Sequence, residues 1–260
     1  MVDDCCPECP NYPECSWHPI LGCGGDINCN GGGGDPCAPY TTTTKGPLVA
    51  TNWGQRCTYN NLCPDKDCDD VCISNQNAWT GCVATAMAQI LKYWSAPCTQ
   101  EYIFATMPNN SGNGEVQRMM RDIGDAVDMD YGCSSSSADG DDTDNAFKDD
   151  FCYSLADRDS YVAGSYEVVI QDIKVNRPVL LDGCRTKNTA IPIVWYYYTN
   201  CHMWVCDGYE RRQNSCYSTV KFYMNWGWNG SNNGWYGLYS WGPGTYNYQY
   251  ARDFTHNIHP

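Results

Sequence analysis

The chain is predicted to be an α+β protein of two packed layers. Helical periodicity is strongest in the middle of the sequence, and strand-like runs crowd its second half. In residues 77–94, NAWTGCVATAMAQILKYW, the apolar residues Val83, Met87, Ile90, Leu91 and Trp94 recur at helical spacing. After Pro178 the runs PVLLD, IPIVWYYY, HMWVCDGY, STVKFYMNW and GWYGLYSW are aromatic and β-branched, and Gly, Asn, Asp and Ser turns separate them. With 260 residues, of which 18% are charged, the chain is long enough for a large core and is not disordered.

Residues 1–45 show neither helical nor strand period. They hold seven cysteines, the glycine run Gly31 to Gly34 and the threonine run Thr41 to Thr44, and are expected to form a disulfide-pinned arm and linker. Residues 46–260 form the globular domain, closed by a short C-terminal tail. Its first stretch, PLVATNWGQRCTYNNLCP, reads as an extended approach segment, and a cysteine-rich loop follows from Cys63 to Cys72. The helix of the central run is expected to start at Cys82, with Thr80 as its cap and Gly81 allowing close backbone approach. Val116, Met119, Met120 and Ile123 predict a second amphipathic helix, and the alternation of Val127, Met129 and Tyr131 predicts a short strand. The acidic loop CSSSSADGDDTD lacks EF-hand spacing and reads as solvated. Ser165 caps a third helix carrying Tyr166, Val169, Ile170 and Ile173, which stops before Pro178.

Charge and cysteine content narrow the functions. The balance of 30 acidic against 16 basic residues, net −14, disfavours nucleic acid and anionic membranes as partners. No apolar run approaches the roughly 18 residues of a membrane span, and the N-terminus lacks the layout of a signal peptide. Nineteen scattered cysteines point to a disulfide framework in a secreted or cell-surface protein. Setting Cys82 aside leaves eighteen, an even number able to pair completely. Cys5, Cys6 and Cys9 are a minor alternative as metal ligands, one short of the four that closed zinc sites use, so neither metal nor cofactor is expected.

Cys82, in the first turn of its helix, is placed where unpaired N–H groups favour a thiolate. A cysteine nucleophile needs a base and a group to orient that base. Of four histidines, His18 lies in the arm and His256 and His259 near the C-terminus, which leaves His202 inside a core strand. Asn225, in MNWGWNG, is expected to accept from the His202 ring, with Trp226 covering that bond. The order Cys82, His202, Asn225 points to a cysteine-peptidase centre.

TGCVATAMAQILKYW, DIGDAVDMDYGCSSSSA, HMWVCDGY and MNWGWNGSNNGWYGL resemble, in order and spacing, the streptopain family of secreted bacterial cysteine peptidases. The resemblance covers roughly residues 46 to 242. It implies a papain-like fold in which a helical part carries Cys82 as nucleophile and an antiparallel sheet carries His202 as base. It further implies that Asn225 or Trp226 orients the histidine. Cys201 departs from the family, which usually has glycine before its histidine. The expected reaction is hydrolysis of protein or peptide substrates through an acyl-enzyme, with the oxyanion held by the Cys82 N–H and a second donor. Gln76, six residues before Cys82, has the spacing of the papain oxyanion glutamine. Ser135, Ser136 and Trp228 are candidates for the substrate cleft. Two other readings stand beside this one: a catalytically silent, disulfide-hardened module in an extracellular assembly, and transglutaminase-like acyl transfer, which usually has aspartate as third member.

Overall fold

The computed structural model describes residues 37–69, 76–96, 102–190 and 195–260. Most of the expected arm, including Cys5, Cys6, Cys9 and His18, lies outside the described residues, as do Cys72, Cys98 and residues 191–194. The chain divides into two units. In one, residues 37–42 go with 211–219: Cys37 is bridged to Cys216, and the Arg212 guanidinium lies 4.2 Å over the Tyr40 ring. The other holds 43–210 and 220–260, and contains every candidate site residue.

Helix α1, Cys82–Trp94, is buried on almost every side, with all residues from Val83 to Leu91 inaccessible. Its alanines let neighbouring elements approach, while Met87, Ile90 and Leu91 each contribute about 1.5–3 kcal/mol of burial. Thr80 does not cap it. The helix starts from Gly81, whose φ of 86° lies in the left-handed region that favours glycine. A β-carbon there would stand 2.8 Å from the Met129 sulfur and 3.2 Å from the Ser136 carbonyl oxygen, so glycine is required both by conformation and by space. Thr85 donates to the Gly81 carbonyl at 2.8 Å, and its hydroxyl engages that of Thr80 at 3.0 Å, turning Thr80 inward.

Helix α2, Gly114–Ala126, packs against α1. Asn113 caps it by accepting from the Val116 N–H at 3.1 Å, and the expected stripe Val116, Met119, Met120 and Ile123 is buried. The strand expected over 127–131 reduces to one bridge, Asp130 to Ser137. Val127 lies four residues after Ile123, so it continues the helical stripe as readily as it starts an alternation. A short turn α3, Thr143–Asn145, runs into a wider turn at Ala146–Asp150. Helix α4, Ser165–Lys174, follows Gly164, with Ser165 accepting from the Val162 N–H at 3.0 Å.

The strands are β1 Thr41–Lys45, β2 Leu155–Ser160, β3 Val179–Ala190, β4 Trp195–Gln213, β5 Ser218–Asn225, β6 Gly234–Gly237 and β7 Tyr250–His259. They form one sheet in the order β2-β7-β3-β4-β5-β6, with β1 paired to β4. Two runs expected as separate strands contribute to the single 19-residue β4. The C-terminal residues expected to be a tail form β7, antiparallel to both β2 and β3.

Side chains alternate along β4 and divide the core. Met203 and Val205 join α1 and α2 on one face. Trp204 and Cys206 join α4, Phe222, Trp226, Trp241 and Phe254 on the other. His202 shares the second face by parity, and packs against its tryptophans.

The cysteines behave only partly as expected. Cys68 is bridged to Cys133 and Cys184 to Cys201. Cys63 and Cys206 are free and buried, so complete pairing of every cysteine but Cys82 does not occur. Burial drives the Cys63 thiol up to about 12, which suits a packed apolar side chain rather than a reactive one.

Candidate active site

Cys82 is a free thiol at the N-terminus of α1. Burial raises its pKa, against the opposing influence of the Met203, Val83 and Cys82 main-chain N–H groups. The Met203 N–H belongs to β4, immediately after His202, so helix and strand meet at the sulfur. The carboxylate of Asp182, opposite Met203 in the β3–β4 register, also disfavours a thiolate. Arg158 holds Asp182 with two bonds, at 2.8 and 3.1 Å.

His202 lies in the middle of β4, where the strand passes from exposed to buried. Its Nε2 lies 2.8 Å from the Trp226 carbonyl oxygen. A carbonyl can only accept, so Nε2 carries the proton and Nδ1 is left as the basic nitrogen of the neutral ring. Burial lowers the His202 pKa to about 4; the Trp226 carbonyl resists that shift and the charge of Arg185 adds to it. Desolvation thus favours a neutral thiol and a neutral imidazole.

Asn225 does not orient His202. Its Nδ2 donates to the Thr51 carbonyl at 2.7 Å and to Gln89 Oε1 at 3.1 Å, and its Oδ1 accepts from the Gly227 N–H at 3.3 Å. The neighbouring residue supplies the acceptor through its backbone, because β5 ends at Asn225 and the chain turns there. Trp226 stays buried beneath the imidazole, at 6.2 Å between ring centroids, and half-buried Trp228 lies 4.9 Å from it.

Gln76 is exposed, and its carbonyl accepts from the Lys66 and Cys68 N–H groups. Ser136 is buried, with its hydroxyl donating to the Trp79 carbonyl at 2.6 Å and accepting from the Gly132 N–H at 3.0 Å. That hydroxyl is committed to the loop, whereas the Ser136 carbonyl is the atom that approaches Gly81. Ser135 is exposed.

Two residues that matter here escape a reading of the sequence. Gln55 is half-buried, and its carbonyl accepts from the Thr80 N–H at 3.0 Å, which sets it beside the start of α1. Only the tertiary fold makes these residues neighbours, so no sequence spacing announces it. Gln89 is a fully buried amide whose Oε1 accepts from Thr51 Oγ1, the Trp53 N–H and Asn225 Nδ2. It lies seven residues after Cys82, two helical turns on, and a polar residue at that spacing was the available signal.

The profile of the Peptidase C10 family matches residues 53–115 and 98–236. Streptopain of Streptococcus pyogenes is 29% identical over 203 residues, covering 63% of this chain and 46% of streptopain. The thiol protease/hemagglutinin PrtT of Porphyromonas gingivalis is 27% identical over 245 residues, covering 80% of this chain and 25% of PrtT. The chain therefore spans less than half the length of these curated relatives. Among solved structures, the active interpain A cysteine protease of Prevotella intermedia superposes with a TM-score of 0.66 at 23% identity, over 84% of this chain and 96% of the other. That likeness establishes the papain-like fold. A family match across more than half of the sequence, on a fold that brings the Cys82 helix to the His202 strand, leads to one assignment: the chain belongs to the Peptidase C10 family.

Proposed function

We propose that the chain is a secreted cysteine endopeptidase with Cys82 as nucleophile and His202 as base. The observation that carries this reading is the meeting of the Cys82 thiol with the β4 backbone next to a histidine whose Nε2 is already tied to a carbonyl. His202 Nδ1 takes the thiol proton as sulfur attacks the peptide carbonyl, then returns it to the departing amine. Water hydrolyses the thioester with the same nitrogen as base. The Cys82 N–H is one oxyanion donor. Gln55, placed by its bond to Thr80, is better situated than exposed Gln76 to supply the second through its side-chain amide. Trp226 fixes the base through its carbonyl, and Trp228 walls the cleft.

Mass spectrometry after treatment with a thiol-directed epoxide tests the assignment. One adduct on Cys82, lost in His202→Ala, is the expected result. An unlabelled Cys82 in folded protein would instead favour the silent extracellular module. The low pKa of His202 predicts a second outcome. Above about pH 4 the ring is neutral and able to accept a proton; as pH falls through that value it is protonated and the base is lost. The acid limb of kcat/KM on a peptide substrate is therefore expected near pH 4, and a limb at the ordinary histidine value of 6.5 contradicts it.

A further inference from the structure

Arg185 carries a charge that acts on the His202 ring and that the mechanism does not use. On β3, Gly183 pairs with His202, so Arg185, two residues further along, stands on the same face of the sheet as the imidazole. Its guanidinium lies 4.2 Å over the Tyr246 ring and 5.8 Å from the Tyr248 ring. Tyr248 is 5.6 Å from His202, Trp228 is 4.9 Å from His202, and Trp228 meets Tyr246 edge-on at 6.4 Å. His202, Trp228, Tyr246, Arg185 and Tyr248 thus close a ring of contacts, an aromatic cup with one cation on its wall.

That cation has no carboxylate partner among the described residues, although the protein carries 30 acidic side chains, and its Nε is buried without a hydrogen bond. Arg118, Arg121, Arg158 and Arg177, by contrast, all face carboxylates. An arginine stacked on aromatic rings keeps its planar fork oriented, and the fork matches a carboxylate. The base gives its proton to the leaving amine, so groups on the His202 side of the cleft, away from α1, meet the leaving portion of the substrate.

We propose that Arg185 is a specificity residue that receives a carboxylate of the substrate on the leaving-group side of the scissile bond. The carboxylate is either an Asp or Glu side chain or the terminus of a short leaving peptide. This rests on the peptidase reading above.

The test uses the disulfide-intact protein and matched internally quenched peptides. They carry Ala, Glu or Lys at the first or second leaving position, with the C-terminus either free or amidated. A charge-assisted hydrogen bond predicts about tenfold higher kcat/KM for the carboxylate peptides than for the alanine peptide, a ratio that shrinks with added salt. In Arg185→Gln the ratio falls to about one, and in Arg185→Glu the lysine peptides become favoured. The Glu series against the free-terminus series tells which carboxylate is bound. A ratio near one in the wild type, or one unchanged in Arg185→Gln, overturns the proposal while peptide cleavage stands. No cleavage of any peptide, with Cys82 unlabelled, overturns the peptidase reading and this inference with it.

Discussion

His202→Ala is expected to lower kcat/KM by about a thousandfold or more, with the fold retained. Three features make the effect large. Burial holds the Cys82 thiol protonated, and the main-chain N–H groups around it do not reverse that shift. Without a base the nucleophile is nearly absent at neutral pH. In the proposed mechanism the same ring protonates the leaving amine and later activates water, so both half-reactions would lose their proton carrier. The truncation leaves a cavity against Trp226, Trp228 and Tyr248, yet the imidazole bonds only to the Trp226 main-chain carbonyl and to none of these rings, and the disulfide beside it stays closed. Steady-state kinetics with circular dichroism as a folding control would check this. Residual activity should climb about tenfold per pH unit as hydroxide supplies the thiolate. A variant within tenfold of the wild type would show that another group acts as base.

Gln89→Met is expected to lower both stability and turnover, although Gln89 touches no substrate. One buried oxygen accepts three hydrogen bonds, from Thr51 and Trp53 in the approach segment and from Asn225 at the end of β5. Methionine keeps the length and helix propensity but accepts none of them usefully. The Trp53 N–H is then left buried without its acceptor, and the Asn225 side-chain amide nitrogen keeps only its bond to the Thr51 carbonyl. Unsatisfied buried donors cost about 1–3 kcal/mol each, so a loss of about 3 kcal/mol and a fall in Tm of about 10 °C are expected. Because Asn225 precedes the carbonyl that holds His202, kcat should fall with it. Equal thermal stability of the variant and the parent would remove Gln89 as the tie between helix, approach segment and strand.

How much of this was legible beforehand depends on the kind of signal. The α1 stripe and the scarcity of histidine lead directly to Cys82 and His202, because periodicity and residue type are both written in the chain. The group facing Nε2 is a main-chain carbonyl, which every residue possesses, so side-chain identity points to Asn225 instead. Gln55 and Arg185 come close to the centre through strand register and loop packing, which no local pattern encodes. Strand β7 alternates around Phe254 and Ile258 but carries enough Arg, Asp, His and Asn to read as solvent-exposed. The parity of the cysteines does not predict their pairing for a related reason: Cys63 and Cys206 are core side chains, and composition does not separate a packed thiol from a bridged one.

The position of β7 bears on how the domain assembles. It lies between β2 and β3, pairing Leu155 with His259 and Leu180 with Thr255, although β3, β4, β5 and β6 follow one another in space as in sequence. The neighbouring strands can zip by short connections, whereas β7 closes a long loop to reach its place, a pairing that slows folding. Until it docks, β2 and β3 both present open backbone edges that recruit strands from other chains. Assembly of the sheet is thus a race between one late intramolecular pairing and intermolecular ones, and dilution favours the native outcome.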